Sequence, residues 1–344
     1  MSIEFKRTLT PSRWLNPASN PPEQTVEVEW RTDPLTGDVG MVPGMRTIKL
    51  EEPDFPTMVA KSLERPCPFC PENIEASASR FPHDFIPEGR IRVSDCLLFP
   101  NIVPWVPDSA VAVFGPKHFD KHLDFDETAL LNGFLACQEY LKRLADYHPE
   151  SQYHFLGMNY LPPACSSQLH PHVQVFASAS PLTQHGRLLS ASESYYNAHG
   201  RAYWADYISE EKRLNERYAG MIGNTEWFAS FVSRSWMMDV TTVFPGKTTI
   251  TGLSASDFGD FCRGLKRVFK YMASQNYFSF NLAVYSGLPE SRGFWCHARL
   301  VQRATFGLLE QSDISVYQML QSSYTMLRRP EDVARELRPF LSEP

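Results

Sequence analysis

The chain has no apolar run long enough to span a bilayer, which argues against a membrane protein. It has no block of basic residues either: 39 acidic side chains outnumber 33 basic ones, for a formal net charge of −6. An electrostatic footprint for nucleic acid is therefore missing, although a small phosphorylated molecule would need only a few local cations. The first residues, "MSIEFKRTLTPSRWL", carry charge where a secretory leader would be apolar, so a cytoplasmic location is expected. Seven cysteines at irregular spacing fit reduced thiols better than a disulfide framework. Cys96, Cys137, Cys262 and Cys296 lie in apolar surroundings and are expected to be small buried hydrophobes.

What is present is a soluble, globular composition, 43% hydrophobic and 21% charged, over 344 residues, enough for two ordinary domains. Up to about residue 66 the chain is rich in proline and charge, with turn signals such as "DPLTGD". This predicts an irregular arm with short strands. From Asp95 onward "CLLFPNIVPW" and "SAVAVFGPKH" predict strands, 126–145 a helix with an acidic start, and "YHFLGMNY" and "HVQVFAS" two further strands. The same order recurs in "EWFASFVSR", "DVTTVFPGKT", "SASDFGDFCRGLKRVFKYMAS", "SFNLAVYSG" and "GFWCHARLVQR". An offset of about 130 residues relates the copies, and His170 and His297 lie at almost the same offset. The expected fold class is α+β, a duplicated unit of antiparallel sheet with packed helices. The expected organisation is an arm plus first unit over 1–184, a Tyr-rich, helical connecting segment over 185–225, and a second unit with a C-terminal segment over 226–344. The second copy lacks "HPH", which points to chemistry in the first.

In a strand, residues two apart share a face, so His170 and His172 of "CSSQLHPHVQV" project together, about 6.6 Å apart along the chain, with Gln174 on the same side. Pro171 lacks a backbone donor and marks a strand start or edge. On their own the two histidines could be a surface pair. "CPFC" offers Cys67 and Cys70 at a spacing that suits one tetrahedral zinc, given two more ligands; a redox pair or a plain turn are the rivals. His118 of "GPKH" and one histidine of "HPH" would complete a Cys₂His₂ set, ranked only slightly above His83, His122, His148 or His154. "CSSQ" offers hydroxyls and N–H groups of the kind that hold a phosphate, and Arg46 and Lys49 could add charge.

Taken together, these segments resemble the galactose-1-phosphate uridylyltransferase family, a branch of the histidine-triad superfamily, from about residue 30 to about residue 338. "CPFC", "GPKH" and "CSSQLHPHVQ" match the family's cysteine pair, its S-P-x-H and its C-S-N-P-H-P-H-x-Q, and "RTDPLTGDVGMVPGMRTIK" is similar to its N-terminal segment. The resemblance implies that Cys67, Cys70, His118 and His170 bind zinc and that His172 is the nucleophile which takes up a nucleotidyl group. It places Ser167, Gln174 and Asn159 in the active site, Arg46 and Lys49 at phosphates, and Asn101 near the ribose and base. It further implies a homodimer acting on a nucleotide or nucleotide-sugar and a phosphorylated acceptor.

The sequence departs from the family at three places, one of them Ile102, which stands where an aspartate should follow Asn101, so different base and ribose contacts are expected. Ser286 stands where one histidine of a second metal site is expected, and H-A-H has become His297-Ala298-Arg299, so no second metal is expected. In the C-terminal "YQML" segment the residues matching the family's hexose-reading glutamate and glutamine are Gln318 and Tyr324. An amide cannot replace a carboxylate that accepts two hydroxyl hydrogens, so galactose 1-phosphate is not the expected acceptor. The leading expectation is a ping-pong nucleotidyltransferase working through His172. A phosphorylase or hydrolase of nucleotide-sugars or dinucleoside polyphosphates using the same histidine, and a zinc-stabilised binding protein without turnover, are the alternatives.

Overall fold

The structure, a computed structural model, describes residues 3–44 and 48–342. The arm comprises β1 (Arg7–Leu15), β2 (Glu23–Thr32), β3 (Val39–Val42), α1 (Phe55–Ser62) and α2 (Pro71–Ser77). The first unit follows as β4 (Ile91–Val93), β5 (Cys96–Pro100), β6 (Asp108–Val113), α3 (Glu127–Tyr147), β7 (Tyr153–Tyr160) and β8 (His172–Ser178). After α4 (Thr183–His199) and α5 (Tyr203–Leu214), the second unit runs through β9 (Tyr218–Ile222), β10 (Thr225–Ala229), β11 (Asp239–Val243), α6 (Ala255–Ser274), β12 (Ser279–Tyr285) and β13 (His297–Arg303). The C-terminal segment adds β14 (Thr305–Phe306), β15 (Gln311–Ser312), α7 (Val316–Gln321), β16 (Ser323–Thr325) and α8 (Pro330–Leu341).

The repeated pattern becomes a single ten-stranded antiparallel sheet in the order β4-β5-β6-β8-β7-β12-β13-β11-β10-β9. Outward from the central β7·β12 seam, each half follows the same order, as a duplication requires. The expected α+β class with antiparallel strands and packed helices is what forms.

Both long helices start where the sequence provides caps: Asp126 accepts from the Ala129 N–H, and Ser254 with Asp257 makes a reciprocal capping box. They bury their apolar stripes on one face of the sheet, each approaching through a glycine. A Cβ on Gly133 would lie 2.4 Å from the Phe114 ring, and one on Gly264 would lie 2.0 Å from Trp227. On the other face α4 and α5 lie over one end, with His185 against Tyr153 and Tyr285 and Trp204 against His297, while His172, Gln174, Asn159 and Asn281 stay half-buried there. No helix among the described residues is long and apolar enough to cross a membrane.

The arm is more regular than expected. β1 and β2 form a hairpin whose strands run nine and ten residues, and β16 pairs parallel to β3 to close a four-stranded sheet. Every residue of β1 is exposed, so it carries no burial periodicity to read. The hairpin is anchored by charge. Arg31 and Arg217, both with fully buried side chains, converge on Glu331 of α8. Arg31 forks onto both carboxylate oxygens at 2.9 Å while Arg217 donates at 2.9 Å to Oε1. Glu29 and Glu211 complete the pairs, and Phe5 and Phe231 lie against the guanidinium faces.

Candidate active site

The fold brings "GPKH" and "HPH" together because β6 and β8 are neighbours in the sheet, with Val113 opposite His172. The loop leaving β6 carries Gly115 and His118, and the segment entering β8 carries His170. The arm supplies the cysteines: Cys70 precedes α2, with Pro71 at the first helical position, and the turn is held by Cys70 N–H and Asn73 Nδ2 donating to the Cys67 carbonyl.

Cys67, Cys70, His118 and His170 form one group whose ligand atoms all lie within 4.8 Å of one another. Sγ of Cys70 is 3.3 Å from Nδ1 of His118 and 3.7 Å from Nδ1 of His170, and Sγ of Cys67 is 3.9 Å from the latter. Tetrahedral zinc with ordinary bond lengths would set sulfur and nitrogen roughly 3.6 Å apart, so the spacing fits the ion.

The tautomers fit as well. Nε2 of His170 can only donate to the Gly115 carbonyl, at 2.7 Å. Ser62 donates its hydroxyl proton to the Val59 carbonyl and so accepts from Nε2 of His118 at 2.8 Å. Both Nδ1 lone pairs are therefore left facing the thiols, the arrangement that metal-bound imidazoles need. Burial holds His170 neutral, down to about 4, and burial with the neighbouring Cys67 thiol pushes Cys70 up to about 12. The Cys70 thiol would keep its proton until a cation displaced it. The other histidines weighed as ligands are elsewhere: His122 is in the aromatic core, His148 pairs with Asp108, His154 bonds to Ser151 O and His83 to Pro87 O.

His172 stands apart from this group in role. Its Nδ1 donates to the His170 carbonyl at 2.9 Å, which leaves Nε2 as the nitrogen with a free lone pair. Burial lowers its pKa and the hydrogen bond partly offsets that, so the ring is neutral near pH 7. Phe69, from inside "CPFC", packs edge-on against it with ring centroids 5.4 Å apart. Nothing in the sequence reading gave that phenylalanine a role, although its position between the two cysteines was a usable signal.

Across the open sheet face, strand register arranges the remaining residues in rows. One row runs Val111, Gln174, Gly157, Ala283, Arg299, Thr241. The two smallest side chains sit at its centre and leave a groove of about 320 Å³ lined by Asn159, Gln174, Asn281, Arg234 and Arg299 among others. The next row contains Asn159 and Asn281, which are direct partners.

The register also corrects the sequence pairing of His297 with His170. His297 answers His172: each opens its strand, each faces a valine, and each donates from Nδ1 to the carbonyl two residues back. The environments differ. His297 is 3% exposed beneath Trp204 and Tyr285, whereas His172 is half-buried on the open face.

The other expected residues are distributed as follows. Ser167 and Lys49 are exposed, and Asn101 is half-buried with Oδ1 accepting from the Val103 N–H. Gln318 is consumed locally: its Oε1 accepts from Ser315 N–H and hydroxyl, and Nε2 donates to Asp313 O. Tyr324 lies under the Arg234 guanidinium at 5.2 Å. Arg46 is outside the described residues.

This architecture, a doubled α+β unit sharing one sheet, is a fold shared with solved structures that include a uridylyltransferase. No family model matches the chain. A protein of Archaeoglobus fulgidus described as uncharacterized is 29% identical over 318 residues, 92% of this chain and 93% of that one. Among solved structures, an ADP-glucose phosphorylase from Arabidopsis thaliana with bound ADP-glucose superposes with a TM-score of 0.69 at 17% identity, over 90% of this chain and 98% of that one. A uridylyltransferase superposes with a TM-score of 0.65 at 19% identity, over 91% and 98% respectively. The resemblance expected from the motifs is therefore borne out at the level of the fold.

Proposed function

We propose that the protein is a divergent nucleotidyltransferase of the galactose-1-phosphate uridylyltransferase type, which passes a nucleoside monophosphate through a covalent adduct on His172. The observation that carries this reading is the fixed tautomer of His172: Nδ1–H is tied to the His170 carbonyl, which leaves the lone pair on Nε2, and strand alternation puts the ring on the sheet face that also carries Gln174 and the groove it lines with Asn159. A neutral imidazole held this way needs no separate base.

In the first half-reaction Nε2 attacks the α-phosphorus of a nucleotide donor, the phosphorus–oxygen bond to the leaving group breaks, and a nucleotidyl-histidine forms. In the second, a phosphate oxygen of the acceptor attacks the same phosphorus and the phosphorus–nitrogen bond breaks. Gln174, Ser167 and Asn159 supply hydrogen-bond donors to the phosphoryl oxygens, Arg46 and Lys49 supply charge, and Asn101 reads ribose or base. Zinc held by Cys67, Cys70, His118 and His170 would be a closed four-ligand ion, pinning the arm and His170 beside the nucleophile.

For the second half-reaction, the state of Gln318 and Tyr324 favours inorganic phosphate over a hexose phosphate. Gln318 is spent on its own helix cap, and Tyr324, whose ring face lies against Arg234, offers one hydroxyl in place of a two-ended amide, so the pair that would read sugar hydroxyls is missing. A phosphorylase using the same histidine is thus the reading we favour for the acceptor. We further propose a homodimer, supported by apolar side chains that stand out from the chain at Ile102, Val103 and Trp105 and at Leu308, Leu309, Met319 and Leu320. Sedimentation equilibrium would return the mass of one chain if this is wrong.

The central test is incubation with α-labelled UDP-glucose, ADP-glucose, UTP and ATP, followed by denaturation. Acid-labile, alkali-stable label on the wild type and none on His172→Asn is expected. Label that persists in His172→Asn, or no label from any donor, refutes the mechanism. Phosphate dependence of product release then separates phosphorolysis from transfer.

A further inference from the structure

Asn281, on β12 in the second unit, sits at the junction of three hydrogen bonds. Its Oδ1 accepts from Nη1 of Arg303 at 2.7 Å, and its Nδ2 donates to Oδ1 of Asn159 at 2.6 Å and to the Ala164 carbonyl at 3.0 Å. Arg303 is itself locked: Nε and Nη2 fork onto the Asp313 carboxylate at 2.8–3.1 Å, and that carboxylate also accepts from the Ala304 N–H.

The orientation of every amide in this chain follows from what each end can do. A guanidinium only donates, so Oδ1 of Asn281 must face Arg303. A main-chain carbonyl only accepts, so Nδ2 of Asn281 must face Ala164 and, with its second hydrogen, Asn159. Asn159 must then turn its oxygen toward Asn281, and its own NH₂ is left for the groove that it shares with Gln174. The same Nδ2 holds the carbonyl at the base of the turn that carries Ser167.

We infer that Asn281, set by Arg303 and Asp313, is a positioning residue that fixes Asn159 as a donor to the phosphoryl group on His172. This rests on the proposed reaction at His172, and it assigns to the second, non-reacting unit a task in the first unit's chemistry. The Asp313 carbonyl also accepts from Gln318 at 3.1 Å, so the relay reaches the C-terminal segment.

Asn281→Asp tests it with almost no change of shape. The new carboxylate still accepts from Arg303 but cannot donate. Asn159 would therefore reverse, giving its NH₂ to the carboxylate and turning its oxygen toward the phosphoryl group. With the full-length protein and the donors above, the single-turnover rate of adduct formation at saturating donor should fall about 100-fold, the effect of losing one oxyanion donor. On an Asn159→Ala background, Asn281→Asp should add nothing, which a merely structural role would not produce.

Should Asn281→Asp fail to fold, Arg303→Met frees the Asn281 amide to turn and should give a defect of the same kind, again absent on the Asn159→Ala background. Calorimetric titration with AMP and UMP gives a readout without turnover: the monophosphates should bind Asn281→Asp about tenfold more weakly, and adenosine and uridine equally well. If the wild type labels and the variants label at its rate, or the losses multiply with Asn159→Ala, this inference falls and the proposed function stands. A wild type that neither labels nor binds a monophosphate overturns both.

Discussion

Replacing Glu331 by glutamine should cost about 3 kcal/mol at neutral pH, and most of that cost should vanish in acid. The carboxylate accepts four hydrogen bonds, two from Arg31 and one each from Arg217 and Arg7. Both central guanidinium groups are fully buried while Glu331 is 20% exposed. Burial alone would raise the Glu331 pKa, but Arg31, followed by Arg217, outweighs it and lowers the group from 4.5 to about 2. At about 1.4 kcal/mol for each pH unit of displacement, that is roughly 3 kcal/mol. Breaking a buried ion pair typically costs about 3–5 kcal/mol, and the low end applies because Arg31 keeps Glu29 and Arg217 keeps Glu211. Since the folded pKa lies below the unfolded one, the stabilisation is complete above about pH 5 and is lost as pH falls toward about 2. Urea unfolding of wild type and Glu331→Gln, compared at pH 7 and pH 3, should show the gap narrowing by about 2 kcal/mol. An equal gap at both pH values, or one below about 1 kcal/mol at pH 7, would refute the reasoning.

Three further outcomes follow from the geometry. Metal analysis of the purified chain should find about one zinc, and Cys67→Ser should lose it and lower the melting temperature by several degrees; a metal-free wild type melting identically would remove the zinc assignment. Gly264→Ala should destabilise by about 2 kcal/mol, because its Cβ would fall 2.0 Å from Trp227, whereas Gly259→Ala on the same helix meets nothing nearer than 3.7 Å and should be neutral or slightly stabilising. Equal effects would mean that the helix does not approach the sheet this closely. Phe69→Ala should slow labelling of His172 about tenfold with zinc content unchanged, since the ring steadies the imidazole without binding the metal; an unchanged rate counts against that role.

Local pattern carried the sequence a long way where one face of an element is buried. "YHFLGMNY" and "HVQVFAS" are β7 and β8, and the helix expected over 126–145 is Glu127–Tyr147. It failed at β1, where every side chain is exposed and no alternation exists to be read. "CPFC", "GPKH" and "HPH" pointed to the Cys₂His₂ group because ligand chemistry restricts the residue types that can occupy such positions.

By itself, then, the sequence determined the duplicated strand and helix order and the residue types of the Cys₂His₂ group and of the histidine that follows it. Those are encoded in short-range periodicity and spacing. Tertiary structure alone decided that His297 answers His172 and lies closed beneath Trp204, that Gln318 is spent on its cap, and that Asn281, Arg303 and Asp313 orient Asn159 from more than a hundred residues away. A hydrogen bond has a direction set by the partner opposite, and which residue lies opposite is fixed by strand register across the seam between the two units, where the local sequence carries no signal.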